Sequence, residues 1–384
     1  MIPRWKLRRE AKRIIEKVRE LPRRLIEPVL RWNYDRTRWS RIEVNDAENA
    51  STEKICVLLV YQPNEFAKSL LETCRFMTAK GYAVLVVANG GLLAHDRATL
   101  QKAVWRVMER PNFGYDFGGY RDAIHFLMRE EIDPCFLLLM NDSIWFPMNR
   151  QSSAIEQLEA SKFDLTGLFL HVPSRNEFAK EERRSLLRRK LAPHIESYVT
   201  MIPRHTYGSE AFRSFWRNYP QTNSKTLTIR RGEIGFSKAI AAVGMRVGGL
   251  SRRSLFLSEI ATRSNDFLTR TLQYAAYTDA AFASAGKSLL EAQSDPDWRE
   301  KALIHIREVV ERRRFNASFC WATEKIFDTS FVKKNPDRLF QLSRARFLQA
   351  LDNGDLAADN ISAIEEMRMR VKRDQVIIEI KVAS

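Results

Sequence analysis

Two stretches of this chain carry side chains suited to a phosphorylated ligand. One is Asn141-Asp142-Ser143, placed directly after the apolar run Phe136-Leu-Leu-Leu-Met140. A carboxylate at the exit of a buried strand sits at the sheet edge where ligands of open α/β sheets bind. There Asp142 could hold Mg²⁺ or Mn²⁺, which would neutralise a diphosphate and activate it as a leaving group. Asn141 and Ser143 could add oxygen ligands or hydrogen bonds. One carboxylate is few for a dedicated metal site, so phosphate oxygens would have to complete it. All three residues are also good turn formers, and a plain turn is the competing reading.

The other stretch is Asn112-Phe-Gly-Tyr-Asp-Phe-Gly-Gly-Tyr-Arg-Asp122. Gly114, Gly118 and Gly119 let the backbone approach a ligand or adopt positive φ. A helix starting after them would present free N–H groups to phosphate. Arg121 could pair with a diphosphate bidentately, and Asp116 could accept from a sugar hydroxyl. A glycine turn with a helix cap explains the same residues, and the spacing is not that of a Rossmann dinucleotide fingerprint. Farther on, Glu233 in Arg231-Gly-Glu-Ile-Gly-Phe-Ser237 could act as general base on an acceptor hydroxyl. Its competing reading is a solvated carboxylate in the first turn of a helix. His171 and His205 read as loop histidines before metal or phosphate ligands.

These residues need a frame. Apolar runs predict strands at Ile55–Tyr61, Tyr82–Ala88, Cys135–Met140 and Asp164–Leu170. Helical patterns lie between them at Glu65–Lys80, Arg97–Met108, Tyr120–Glu130 and Gln151–Ala160. Alternation of this kind predicts an α/β fold, a mainly parallel sheet sandwiched by helices. Asn112–Gly119 reads as a polar loop. The next part is looser: a basic helix at Lys180–Leu191, a strand at Glu196–Ile202, and helices at Ser209–Trp216 and Arg230–Val243. Past about Asp279 the chain is helical and charged, with helices at Asp297–Arg314, Pro336–Leu351 and Ala357–Arg373. The chain is expected to divide into residues 1–41 (a basic helix), 42–54 (a linker), a body over 55–284 (halves 55–170 and 171–284) and a helical C-terminal extension over 285–384.

Charge is uneven. The chain carries +16 overall, and residues 1–41 hold 14 Lys/Arg against 5 Asp/Glu. Within them Leu7, Ala11, Ile14, Val18, Leu21 and Leu25 recur at helical spacing, with Pro22 and Pro28 as breaks. Trp5, Trp32 and Trp39 add interfacial rings. A basic face beside an apolar stripe suits anionic lipid. The alternative is a helix docked on its own body. Charge alone speaks for RNA, so nucleic acid is not an expected partner. No apolar run is long enough to span a bilayer, and no apolar core follows the basic N-terminus, so the expected place is the cytoplasm, on the inner face of the membrane. The scattered Cys56, Cys74, Cys135 and Cys320 read as free thiols in a reducing compartment.

Asn112–Asp122, Leu138–Pro147, Glu196–Tyr198 with Phe212–Trp216, and Glu233-x-Gly-x-Ser237 together resemble the rhamnan synthesis F family of bacterial polysaccharide glycosyltransferases, over about residues 55–280. The resemblance implies a GT-A-like fold and transfer of a sugar, rhamnose in several members, from a nucleotide-sugar donor to a cell-surface polysaccharide or lipopolysaccharide. Asp116, Asn141 and Asp142 would be donor-site residues, with Glu233 near the acceptor. Asn141-Asp142-Ser143 stands where GT-A enzymes usually carry Asp-x-Asp. The family commonly has His-x-Gln-Ser-Tyr where this chain has His194-Ile-Glu-Ser-Tyr198, a departure that bears on acceptor choice. Acceptors in such pathways are often lipid-linked, and the C-terminal helices could meet partner transferases. The competing function is a non-catalytic scaffold that binds nucleotide-sugar or glycan within a synthase complex. Asp142→Ala is expected to abolish transfer while leaving the circular dichroism spectrum unchanged; wild-type turnover would refute the role of Asp142.

Overall fold

The computed structural model describes residues 26–173 and 192–382, with side chains through Asp374. Residues 1–25 of the helix expected over 1–41, and the whole of the helix expected at 180–191, lie outside it. Among the described residues the main sheet has nine strands.

β1 (Glu43–Asp46) lies at one edge, followed in space by β4 (Arg106–Arg110), β3 (Tyr82–Asn89), β2 (Lys54–Val60) and β5 (Phe136–Asn141). β4, β3, β2 and β5 run parallel, in register Cys56↔Val84 and Cys56↔Leu138 at the centre. Beyond β5 the sheet reverses: β9 (Val199–Pro203) pairs antiparallel with β5 and with β7 (Leu165–His171), and β10 (Val247–Ser251) closes the far edge parallel to β7. β8 (His194–Ile195) pairs with the end of β7. A small second sheet joins β6 (Ile144–Trp145) to β11 (Val332–Lys333).

The continuous apolar runs of β2, β3 and β5 follow from burial on both faces. Cys56, Leu58 and Val60 face one core with Val84, Val86 and Met140. Ile55, Val57 and Leu59 face the other with Leu85, Val87 and Leu139. The helices Tyr115–Arg129, Glu210–Asn218 and Gly235–Ala242 cover the second core. The first is filled largely from the C-terminal part of the chain, with Phe256, Trp298, Phe315, Trp321, Phe347 and Met367 in one cluster with the sheet residues. The segment after residue 284, read as an extension, is thus one of the layers.

Three expectations change. The linker over 42–54 contributes β1, which pairs antiparallel with β4. The helix expected at Arg97–Met108 ends at Gln101, and Arg106–Arg110 is a strand. Val107 and Met108 alternate between the two cores; an apolar run this short fits either period, and only the neighbouring β3 decides it. The glycine loop is shorter than expected, because the helix begins at Tyr115. Gly119 lies inside that helix, where a Cβ would stand 2.1 Å from Leu59 Cδ1. Its hydrogen lets the helix press onto β2.

Residues 26–37 are helical, and one side of this helix docks on the body. Tyr34 is buried, stacks on Phe113 with ring centroids 4.9 Å apart, and donates to Asp122 Oδ2 at 2.6 Å. Arg110 Nε meets the same oxygen at 2.7 Å, and neither side chain of that pair is exposed to solvent. Ile26, Val29, Leu30 and Trp32 are exposed. No helix among the described residues is long and apolar enough to cross a membrane.

Asp122 therefore joins the N-terminal helix, β4 and the helix Tyr115–Arg129. Removing one member of a fully buried ion pair strands the other charge, at a cost of about 3–5 kcal/mol. Asp122→Ala should lower the urea midpoint by an amount equivalent to that; an unchanged midpoint would show that Arg110 finds another partner.

Candidate active site

The parallel strands end on a cavity of about 1290 Å³ lined by Asn112, Asp116, Asn141, Asp142, Ser143 and Glu233 among others. The sequence spreads these residues over more than a hundred positions, and the ends of β4, β5 and the π-helical turn Ile229–Ile234 bring them together.

Asp142 follows β5. Its own N–H donates to Leu59 O at 3.1 Å, and its Oδ2 accepts from Tyr61 N–H at 2.9 Å and Gln62 Nε2 at 2.8 Å. Half of the carboxylate thus fixes the turn after β2. Oδ1 has no partner among the described residues. Asn141 behaves as a turn residue: Oδ1 accepts from Ser143 N–H at 3.2 Å and from Ser143 Oγ at 2.5 Å, and Nδ2 donates to Ser197 O at 3.3 Å. The ligand and turn readings of this triplet are both visible, one in Asp142 and one in Asn141.

The glycine segment divides in the same way. Gly114 caps the helix with φ +88° and donates its N–H to Asn223 Oδ1 at 2.8 Å. At Gly118 a Cβ would meet Phe113 O at 2.3 Å, so this glycine serves chain packing. Arg121, expected to reach a diphosphate, is buried on the other side of the helix and pairs with Asp35 at 2.5 Å. The reason is helical phase: Arg121 lies five residues past Asp116, and the face that carries Asp116 to the cavity turns Arg121 toward residues 26–37. Asp116 accepts from Phe117 N–H at 3.0 Å, and its Oδ2 lies 3.0 Å from Ser197 Oγ. Burial pushes its carboxyl above the ordinary range despite these hydrogen bonds.

Glu233 stands in the π-helical turn, a backbone form frequent at functional sites. Its Oε1 accepts from Ser197 Oγ at 2.8 Å. Ser197 therefore touches both Asp116 and Glu233. It sits in the turn between β8 and β9, where a continuous strand was expected. Burial, then the charges of Asp116 and Glu196, push the Glu233 carboxyl up to about 7. Neighbouring Glu196 goes the other way. Burial alone would raise it, but Lys333 and Arg314, both bonded to its oxygens, hold it at about 2. The glutamate expected to bear on acceptor choice thus lines the cavity as the anion of a three-membered ion cluster.

His205 pairs with Asp164 at 2.9 Å and does not line the cavity. Sequence reasoning missed Ser197, although it lies within the Glu196–Tyr198 stretch. It also missed Lys333, Lys334 and Arg370, which line the cavity from the C-terminal segment.

Without phosphate oxygens the donor set is incomplete as a metal site. Asp142 has one uncommitted oxygen, and among the described residues no group of three or more His, Cys, Asp or Glu is placed to hold an ion.

Residues 84–253 match the rhamnan synthesis protein F family. The rhamnan synthesis F segment holds Asp116, Asp142, Ser197 and Glu233 but ends before Lys334 and Arg370. An uncharacterized protein, y4gN, of Sinorhizobium fredii (strain NBRC 101917 / NGR234) is 31% identical over 250 residues, 65% of this chain and 62% of its own length. The match thus spans less than two thirds of that relative. A glycosyltransferase involved in the glycosylation of the major capsid of PBCV-1 aligns with TM-score 0.26 at 10% identity over 51% of this chain and 81% of that one. The mannosyltransferase PcManGT from Pyrobaculum calidifontis, in complex with GDP-Man and Mn²⁺, aligns with TM-score 0.31 at 10% identity over 85% and 95%. Neither of these two likenesses bears on the assignment of function.

The raised Glu233 carboxyl has a consequence for stability. The folded state holds a proton that the unfolded chain releases near the ordinary glutamate value, so stability falls as pH rises from there to about 7 and is level above. Chemical denaturation at pH 5 and pH 8 should show this fall in the wild type and a smaller one in Glu233→Gln. Equal falls would place the raised carboxyl elsewhere.

Proposed function

We propose that the protein is a glycosyltransferase that moves a sugar from a nucleotide-sugar donor to a glycan acceptor. The observation that carries this reading is the meeting of Asp116, Asp142 and Glu233 in one cavity at the carboxyl edge of the parallel strands, with Glu233 partly protonated near neutral pH. A general base is most effective when its pKa lies close to the working pH. Glu233 takes the acceptor hydroxyl proton as the oxygen attacks the anomeric carbon from the face opposite the leaving diphosphate. Ser197 orients Glu233 by donating to it. Asp116 accepts from a donor hydroxyl, and the turn at Tyr61-Gln62, fixed by Asp142, borders the nucleoside. Bound and aligned this way, the two substrates react as one assembly.

On this reading the fold is GT-A-like, and the sugar is rhamnose or a related hexose destined for a cell-surface polysaccharide or lipopolysaccharide. The exposed Ile26, Val29, Leu30 and Trp32 beside the basic N-terminal residues suit an anionic membrane surface, where a lipid-linked acceptor is found. A Mg²⁺ or Mn²⁺ ion has no built site here, and no step above passes through one.

The test is transfer from a panel of nucleotide-sugars to lipid-linked glycan in anionic vesicles. Activity should decline below about pH 7, and Glu233→Gln should lower kcat by about 10²–10⁴-fold with donor affinity retained. Full kcat in Glu233→Gln would remove it as the base; no transfer from any donor would favour a binding role.

A further inference from the structure

Six basic residues line the cavity: Lys225, Arg314, Lys333, Lys334, Arg370 and Arg373. Arg314 and Lys333 are held by Glu196. Lys333 and Lys334 are neighbours on an extended segment, so their side chains leave on opposite sides, and only one of them reaches that carboxylate.

Lys334 is pinned to the Asn141-Asp142-Ser143 turn by backbone. β11 pairs with β6 in register Lys333↔Ile144, and Lys334 N–H donates to Ser143 O at 2.8 Å. Its ammonium lies 5.3 Å from the Trp145 ring centroid and has no hydrogen-bond or ion-pair partner among the described residues. It feels the carboxylates of Asp142 and Glu366 at longer range, while burial disfavours its charge. Arg370 lies one helical turn past Glu366 on the helix Ile361–Val382. Its Nε is buried without a partner, and it too has no ion pair among the described residues. Burial, then Arg344 and Arg373, disfavour its charge. A buried cation without an anion is costly. Here two partly buried cations, neither in an ion pair among the described residues, face one cavity beside the turn that ends β5.

We propose that Lys334 and Arg370 form the diphosphate subsite of this cavity, binding a nucleoside diphosphate through side-chain cations in place of a resident divalent ion. The inference rests on the glycosyltransferase reading for its ligand class. Arg370 offers the planar fork that matches phosphate oxygens, and Lys334 a point charge close to Asp142. Asp142 then acts as a positioning residue: it keeps Lys334 at the end of β5 and fixes the turn at Tyr61-Gln62. As the sugar–phosphate bond breaks, the charge that develops on the leaving oxygens falls on donors already in place. The subsite lies outside residues 84–253, so the C-terminal layer completes the cavity.

The test is calorimetric titration of the full-length protein with inorganic pyrophosphate, in EDTA and again with Mn²⁺. Binding in EDTA is expected, weakening as salt rises. Lys334→Met and Arg370→Met should each weaken it by about 10–100-fold, and Lys334→Arg should keep most of it. Thermal melts check folding; should Lys334→Met fail to fold, Arg370→Met decides. Binding that needs Mn²⁺, or that is unchanged in both Met variants, overturns the subsite. Pyrophosphate binding of this pattern without sugar transfer would uphold the subsite and sink the glycosyltransferase reading. Transfer with wild-type donor KM in both variants would do the reverse.

Discussion

The carboxylate of Asp142 joins the ends of the two central strands, and the cavity depends on that junction. Its amide donates to Leu59 at the end of β2, while its Oδ2 receives the N–H of Tyr61 two residues on. Parallel neighbours in register otherwise diverge where their ladder stops. Here they are held together one residue beyond it, and the chain then turns directly into β6. Because β6 pairs with β11, the position of a segment nearly two hundred residues away is set by the same junction.

In this arrangement the C-terminal helices pack into the body. Met367 and Phe347 share a core with Cys56 and Val84. On the same helix as Met367, Glu366 accepts from Ser69 N–H and from Trp145 Nε1. Apolar burial on one side and hydrogen bonds at the rim act on the same helix. The N-terminal helix is fixed differently, through Tyr34 and the buried pair of Arg110 with Asp122. One end of the chain is held by area and the other by charge.

Much of the frame could be read from sequence because its signals are local. The runs that became β2, β3, β5 and β7 are short and apolar on both faces, and their alternation with helical patterns marks them as strands of a parallel sheet. Asp142 was legible because it stands at the boundary of such a run, and Asp116 because it lies in the glycine-rich stretch before a helix. Arg121 was misplaced because a loop was expected where the helix had already begun, which rotates every later side chain. Ser197, Lys334 and Arg370 left little or no trace: a serine in a turn and cations in a charged helical region are ordinary, and only pairing between distant strands gives them neighbours. Glu196 was visible as an unusual residue, but its two counter-ions were not.

Ser197 carries one hydrogen and stands between two carboxylates, 3.0 Å from Asp116 and 2.8 Å from Glu233. A hydroxyl can donate once. When both acids are ionised, one of them faces a lone pair, so the triad is at rest only with an extra proton shared among its oxygens. Once that proton departs, the single hydroxyl hydrogen can serve only one of the two carboxylates.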